Sequence, residues 1–190
     1  MVALSQSSPL TPEEYLEWEK EQEIKHEYIA GEIFAMAGAY DTHVTISLNI
    51  ASLLRNHVRG SNCRVYMSDM KVKLEKFNRF FYPDVVVTCD SRDQETNNYQ
   101  CYPQLIIEVL SDSTEAFDRG DKFIDYQSLD SLEEYVLINS KLKRIECFIK
   151  NEKGLWVLEV YHANCTTFLL QSINFKGYLT EIYEDVIFQE

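Results

Sequence analysis

Apolar and polar residues alternate at the period of two through most of the chain, and the spacing lengthens to the helical period in four places. Thr11-Pro12-Glu13-Glu14 combines an N-cap, a proline at the first helical position and an acid at the third, and predicts a helix to about Lys25. Residues 26–38 alternate around Ala30-Gly31, which predicts a hairpin whose arms carry Glu27 and Glu32. From Thr42, the positions Val44, Ile46, Leu48, Ile50, Leu53 and Leu54 fit a helix with a wide apolar face that ends before Gly60. Three strands are predicted next, over residues 63–77, 80–88 and 104–110, with a polar surface loop at 90–102.

Ser113 or Thr114 caps a helix predicted to reach about Leu129, on which Asp118, Lys122 and Tyr126 recur at i, i+4 and i+8 as one stripe. Residues 133–140 form the next strand. Residues 143–150 and 155–163 form a hairpin closed at Asn151-Glu152-Lys153-Gly154, and 178–186 a short helix with Leu179, Ile182 and Tyr183 inward. The Ser-rich residues 1–10 are expected to fray. Residues 11–190 are expected to make a single domain, a length that suffices for one core.

The balance of 18 basic against 31 acidic residues gives a net charge of −13, which argues against broad attraction to nucleic acid and requires any polyanion contact to be local. Lys71, Lys73, Arg79, Arg119 and Lys122 are the central candidates for such contacts. The five cysteines lack a CxxC pair and the four histidines are dispersed, so a zinc site has no support. Reduced cysteines in a reducing cytosol are expected, and His43 and His57 read as capping or surface residues. The N-terminus has no basic segment leading into an apolar one, and no apolar run approaches the roughly 20 residues that span a bilayer. A soluble, cytoplasmic protein is expected, with no membrane partner.

Candidate chemistry centres on two acids in strand-like runs, Asp84 in RFFYPDVVV and Glu108 in QLIIEVLS. A charge within an apolar strand is costly to bury unless a metal, a proton or a partner compensates it. If the two strands are neighbours, both carboxylates can emerge on one side and hold a hard divalent cation such as Mg²⁺, which keeps several waters. The alternative is that each acid ends its strand and faces solvent.

From residue 42 the order helix, three strands, helix, strand, with acids on the second and third strands, resembles the core of the PD-(D/E)XK nuclease superfamily. The fuller string, YIAGEI, then YPDVVV, then PQLIIEVLSDSTEAFDRGDKFIDYQSLDSLEEYVLI, resembles the Uma family of proposed restriction endonucleases. The resemblance covers roughly residues 11–186. It implies an α+β fold, a restriction-endonuclease-like αβββαβ core with an N-terminal helix and hairpin and a C-terminal hairpin. It also implies Mg²⁺- or Mn²⁺-dependent hydrolysis of phosphodiester bonds in nucleic acid, DNA first, by a homodimer. Asp84, Glu108 and the Val109 carbonyl are then metal ligands.

Where the superfamily carries lysine two residues beyond the second acid, this chain has Leu110. Lys122 is the leading substitute, although its spacing from Asp118 also suits a surface ion pair. Lys71 and Lys73 are weaker candidates. No acid lies in residues 43–58, so the accessory acid of the first core helix is sought on the hairpin, with Glu32 preferred over Glu27. Leu110 and the net acidity favour a second reading, a binding or structural module that keeps the scaffold without cutting. A third is a metal hydrolase acting on small phosphoesters.

Overall fold

The computed structural model describes residues 8–36 and 38–188. Helix α1 spans Pro12–Glu19, and its capping box is formed: Thr11 Oγ1 accepts from Glu14 N at 3.2 Å, while Glu14 Oε2 accepts from Thr11 N at 2.8 Å. It stops short of Lys25 because Glu19 folds back, accepting from His26 N (2.8 Å) and Tyr82 OH (2.9 Å), and the chain reverses. Strands β1 (His26–Ile29) and β2 (Glu32–Ala35) make the predicted hairpin. Its turn residues Ala30 and Gly31 both have positive φ, 50° and 103°, as a type I′ turn requires. Leu10 is tied to this hairpin through Leu10 N to Gly31 O (3.1 Å) and Tyr28 OH to Leu10 O (2.8 Å). Residues 1–7 of the stretch expected to fray lie outside the described residues.

Helix α2 (Asp41–His57) agrees with its apolar spacing. The next two predicted strands are each broken in two. Residues 63–77 divide into β3 (Arg64–Met67) and β4 (Lys71–Leu74) around Ser68, whose φ is +52°, and 80–88 divide into β5 (Arg79–Phe81) and β6 (Val85–Thr88) at Tyr82-Pro83-Asp84. Proline supplies no ladder donor, so the sheet is left there. The 90–102 segment is ordered around Asp93, which accepts from Thr88 Oγ1 (2.6 Å) and Cys101 N (2.7 Å), and it contains the short β7 (Tyr99–Gln100).

Strand β8 (Pro103–Leu110) leads to α3 (Glu115–Arg119) and α4 (Asp121–Tyr126). The single predicted helix is interrupted at Gly120, where ψ is −106°. Strand β9 (Glu134–Asn139) and the hairpin β10 (Arg144–Lys150) and β11 (Trp156–His162) occupy the predicted positions. A second hairpin, β12 (Thr167–Leu170) with β13 (Phe175–Tyr178), lay in sequence without clear alternation and was not expected, and α5 (Leu179–Ile182) closes the described chain.

Six strands form the central sheet in the order β11-β10-β9-β8-β6-β3, with β8 and β9 parallel. A five-stranded sheet, in the order β2-β1-β5-β4-β7, extends the β1–β2 hairpin. Odd-numbered residues of β8 (Leu105, Ile107, Val109) pack with Ile46, Ile50 and Leu54 of α2. Even-numbered Ile106 and Leu110 pack with Phe123 and Tyr126 of α4 and with Val72 and Phe81. Glu108 therefore faces α4.

Cys63 and Cys89 are joined in a disulfide, which corrects the expectation of five reduced thiols; Cys101, Cys147 and Cys165 are free. The β3–β6 register pairs Arg64 with Thr88, so the two cysteines are the next cross-strand neighbours. Among the described residues no helix is long and apolar enough to cross a membrane.

Candidate active site

Glu108 is 3% exposed and sits in the middle of the central sheet. Its burial is compensated from two directions. Lys122 Nζ lies 2.9 Å from Glu108 Oε1, and Tyr126 OH donates to the same oxygen at 3.3 Å; both residues belong to the predicted i, i+4, i+8 stripe, which α4 aims at the sheet. From the other side Asp84 N donates to Glu108 Oε2 at 3.3 Å. The break at Pro83 makes this bond available, because Asp84 stands just ahead of β6 with its amide outside the ladder.

The Asp84 carboxylate turns back on β8, where its Oδ2 accepts from Val109 N at 2.7 Å. His43 Nε2, from the first turn of α2, lies 3.1 Å from the same oxygen. Lys122 Nζ also reaches Glu27 Oε1 (3.1 Å) and Asp118 Oδ1 (3.6 Å), and Glu27 accepts from Tyr82 N (3.2 Å). Asp118 is held by its own backbone, whose carbonyl accepts from Tyr135 OH at 2.9 Å.

Four carboxylates thus gather around one lysine and one histidine. Burial pushes the Glu108 carboxyl well above the ordinary range, against the pull of Lys122, and Asp118 and Asp84 push it further. Asp118 is raised for the same leading reason. Burial opposes the charge on Lys122, but Glu108 and Glu27 outweigh it and its pKa stands well above the usual value. His43 follows the same logic: burial opposes protonation, and the hydrogen bond and charge of Asp84 prevail. Such an excess of buried negative charge is relieved by protons or by a cation.

The structure brings Asp84, Glu108, Lys122 and the Val109 backbone together. Glu32, the hairpin acid preferred from sequence, is exposed on the edge strand β2, and Glu27 on the inner strand β1 is the acid beside Lys122. The two share one face of the hairpin, so alternation could not choose between them. His43, a capping or surface residue by its sequence, is instead half of a contact with Asp84, and no local signal marks it. Leu110 is 2% exposed and packs in the core. Of the proposed phosphate contacts, Lys73 pairs with Glu75 (3.0 Å), Arg79 with Asp125 and Arg119 with Glu115 (2.8 Å) and Glu146, while Lys71 is buried over the Tyr82 ring. Burial pushes the Lys71 amine below its usual pKa.

Among the described residues no three His, Cys, Asp or Glu side chains converge as a ready-made ion cage. The available set is Asp84 and Glu108 with the Val109 carbonyl, all hard oxygen donors. Few protein ligands of this kind fit an ion that retains much of its water, as Mg²⁺ does.

Comparison with known proteins agrees with this architecture. A protein of Synechocystis sp. (strain ATCC 27184 / PCC 6803 / Kazusa), "Uncharacterized protein slr1290", is 40% identical over 99% of this chain and 100% of its own length. A second from the same organism, "Uncharacterized protein sll1609", is 33% identical over 83% of this chain and 90% of its own. The crystal structure of "a putative nuclease belonging to DUF820" from Anabaena variabilis ATCC 29413 superimposes with a TM-score of 0.76 at 17% identity, covering 94% of this chain and 100% of that one, and shares the fold. Residues 12–175 match the model of the Uma2 family, described as "Putative restriction endonuclease". With that match and the 40% identical relative, the chain belongs to the Uma2 family, on a restriction-endonuclease-like α+β fold.

Proposed function

We propose that this protein is an endonuclease that hydrolyses phosphodiester bonds in DNA with a divalent ion, Mg²⁺ or Mn²⁺, held by Asp84, Glu108 and the Val109 carbonyl. The observation that carries this reading is the meeting of Lys122 Nζ with Glu108 at 2.9 Å, with Asp84 bonded to the same strand. Asp84, Glu108 and the Val109 carbonyl would hold this ion, which would lower the pKa of a bound water and offset charge on the phosphoryl oxygens. Lys122 is the catalytic ammonium, standing in for the lysine that Leu110 replaces, and it holds the attacking water and the growing negative charge. Glu27 and Asp118 are positioning residues that fix the ammonium, and His43 fixes the Asp84 carboxylate. The proposal includes a homodimer acting in the cytoplasm. Two copies bring two sites to a duplex, and the edge strand β11, with Val157 and Leu158 exposed, offers a surface for the second.

The test is nicking of supercoiled plasmid by wild type and by Asp84→Asn, Glu108→Gln and Lys122→Gln, each with Mg²⁺ and with Mn²⁺. Cutting that all three variants lose supports the reading. A second reading, a nuclease-like module that binds without cutting, is favoured by the apolar Leu110 and by the three carboxylates that occupy Lys122. It predicts DNA binding with no cleavage at millimolar metal.

A further inference from the structure

Residues 42–68 contain none of the chain's 31 acids, yet they carry Arg55, Arg59 and Arg64. All three arginines are exposed, and among the described residues none has a carboxylate partner. The other four are ion-paired: Arg79 with Asp125, Arg92 with Asp90, Arg119 with Glu115 and Glu146, and Arg144 with Glu146. In a protein of net charge −13, the unpaired arginines therefore all fall within one short stretch of chain, from the C-terminal end of α2 to the start of β3.

That place is grooved. A depression of about 360 Å³ runs between α2 and β3, lined by Leu48, Ala51, Arg55, Val65, Tyr66 and Met67. The outer face of α2 continues it with an exposed row, Tyr40, Val44 and Leu48, at i, i+4 and i+8, and Tyr40 is 79% exposed. Both walls lead to the candidate site. At one end of α2, His43 lies 3.1 Å from Asp84 Oδ2; just past β3, Ser68 N donates to Asp84 O at 3.1 Å. Arg64 is four extended residues from Ser68, about 13 Å, and Arg55 is twelve helical residues from His43, about 18 Å.

We propose that this groove is the track of the nucleic-acid backbone, with Arg55, Arg59 and Arg64 as its phosphate contacts and the apolar row of α2 against sugars and bases. The proposal rests on the nuclease reading above and adds the surface which that reading lacked, since four of the five cations named from sequence are engaged by carboxylates and the fifth, Lys71, is buried. Guanidinium forks suit phosphate, and exposed arginines without a carboxylate partner are free to bind it. The acid-free stretch removes the repulsion that the rest of this surface would impose on a polyanion.

The experiment is fluorescence anisotropy with labelled 24-base-pair DNA, the matching single strand and an RNA hairpin, in Ca²⁺ in place of Mg²⁺ and over a range of KCl. It compares wild type with the triple variant Arg55→Gln, Arg59→Gln, Arg64→Gln. A control with the same charge change carries Lys20→Gln, Lys25→Gln and Lys76→Gln, three lysines outside the acid-free stretch and outside the β10–β11 hairpin. The arginine variant is expected to bind its preferred probe at least 10-fold more weakly and to lose about two to three units from the salt slope, with the control within about twofold of wild type. Equal effects of the two variants on a wild type that binds would overturn the track and leave the nuclease reading standing. No binding by wild type to any probe would overturn both. A wild-type dimer that the arginine variant dissociates in sedimentation would make this face a seam between copies and overturn the track as well.

Discussion

Lys122 Nζ lies 2.9 Å from Glu108 Oε1, joining a helix to the middle of a sheet through two side chains that are 6% and 4% exposed. Neither charge is tolerable there alone, because a buried ion that loses its partner keeps its desolvation cost. The same ammonium also faces Glu27 and Asp118. Lys122→Met is therefore expected to leave three carboxylates uncompensated and to cost about 3–5 kcal/mol of stability, read from urea unfolding at neutral pH. Lys122→Arg, which keeps the charge, is expected to recover much of the stability while cutting stays down by at least about 100-fold. A Lys122→Met protein as stable as wild type would show that the cluster is not ionised as described.

The same cluster sets a pH dependence. Glu108 and Asp118 are both raised, chiefly by burial. A carboxyl with a raised folded pKa binds its proton more tightly in the native state. Its stabilising contribution is full below the unfolded value of about 4 and is lost as pH rises through the folded value. Glu108→Gln mimics the protonated form. The unfolding free energy of wild type minus that of the variant should thus fall as pH is raised from about 4 toward neutrality. A difference that rises with pH would mean that Lys122 outweighs burial and holds Glu108 below its ordinary pKa.

Much of this site is legible in the sequence, because it rests on local order. The strand run around Glu108 and the stripe Asp118, Lys122, Tyr126 follow from periods of two and 3.6, and both survive in the fold even though Gly120 splits the helix. What periodicity missed was tertiary. Pro83 and Ser68 divert two strands between sheets, and that diversion, not alternation, delivers Asp84 to Val109. The approach of His43 to Asp84 depends on where α2 lands. The choice of Glu27 over Glu32 depends on which hairpin arm is flanked by β5.

That last choice gives a matched pair of variants. Glu32→Gln changes an exposed edge residue and is expected to leave activity and stability within twofold and about 0.5 kcal/mol of wild type. Glu27→Gln removes a buried partner of Lys122 and an acceptor of Tyr82 N, and should cost about 1–3 kcal/mol along with most of the cutting rate. Plasmid nicking and urea midpoints measured on both proteins decide it. Loss in Glu32→Gln with none in Glu27→Gln would return the accessory role to the edge strand.

Clustered carboxylates should also make the fold responsive to metal. At ten times its Kd, a divalent ion bound only by the native state adds about 1.4 kcal/mol, or about 3–6 °C in Tm for a chain of this size. The rise is expected with Mg²⁺ and Mn²⁺, should be larger at pH 8 than at pH 5 because protons compete for the same oxygens, and should vanish in Asp84→Asn. Differential scanning calorimetry with EDTA as the reference measures it. An unchanged Tm at millimolar metal would remove the support for an ion between β6 and β8.

Far from the cluster, Cys63 and Cys89 staple the edge strand β3 to β6, closing a loop of sequence separation 26. Closing a loop of that length restricts the unfolded chain by about 3.5 kcal/mol at 25 °C. Reduction by dithiothreitol, or Cys63→Ser with Cys89→Ser, is therefore expected to lower the guanidinium unfolding midpoint of wild type, while the double variant itself should be indifferent to reductant. β3 is also the wall that ends at Ser68 against Asp84. Hydrogen exchange in residues 64–68 should accelerate on reduction more than in β9, which keeps a partner on both sides. Equal acceleration in the two strands would mean that the disulfide stabilises the whole fold and not its edge.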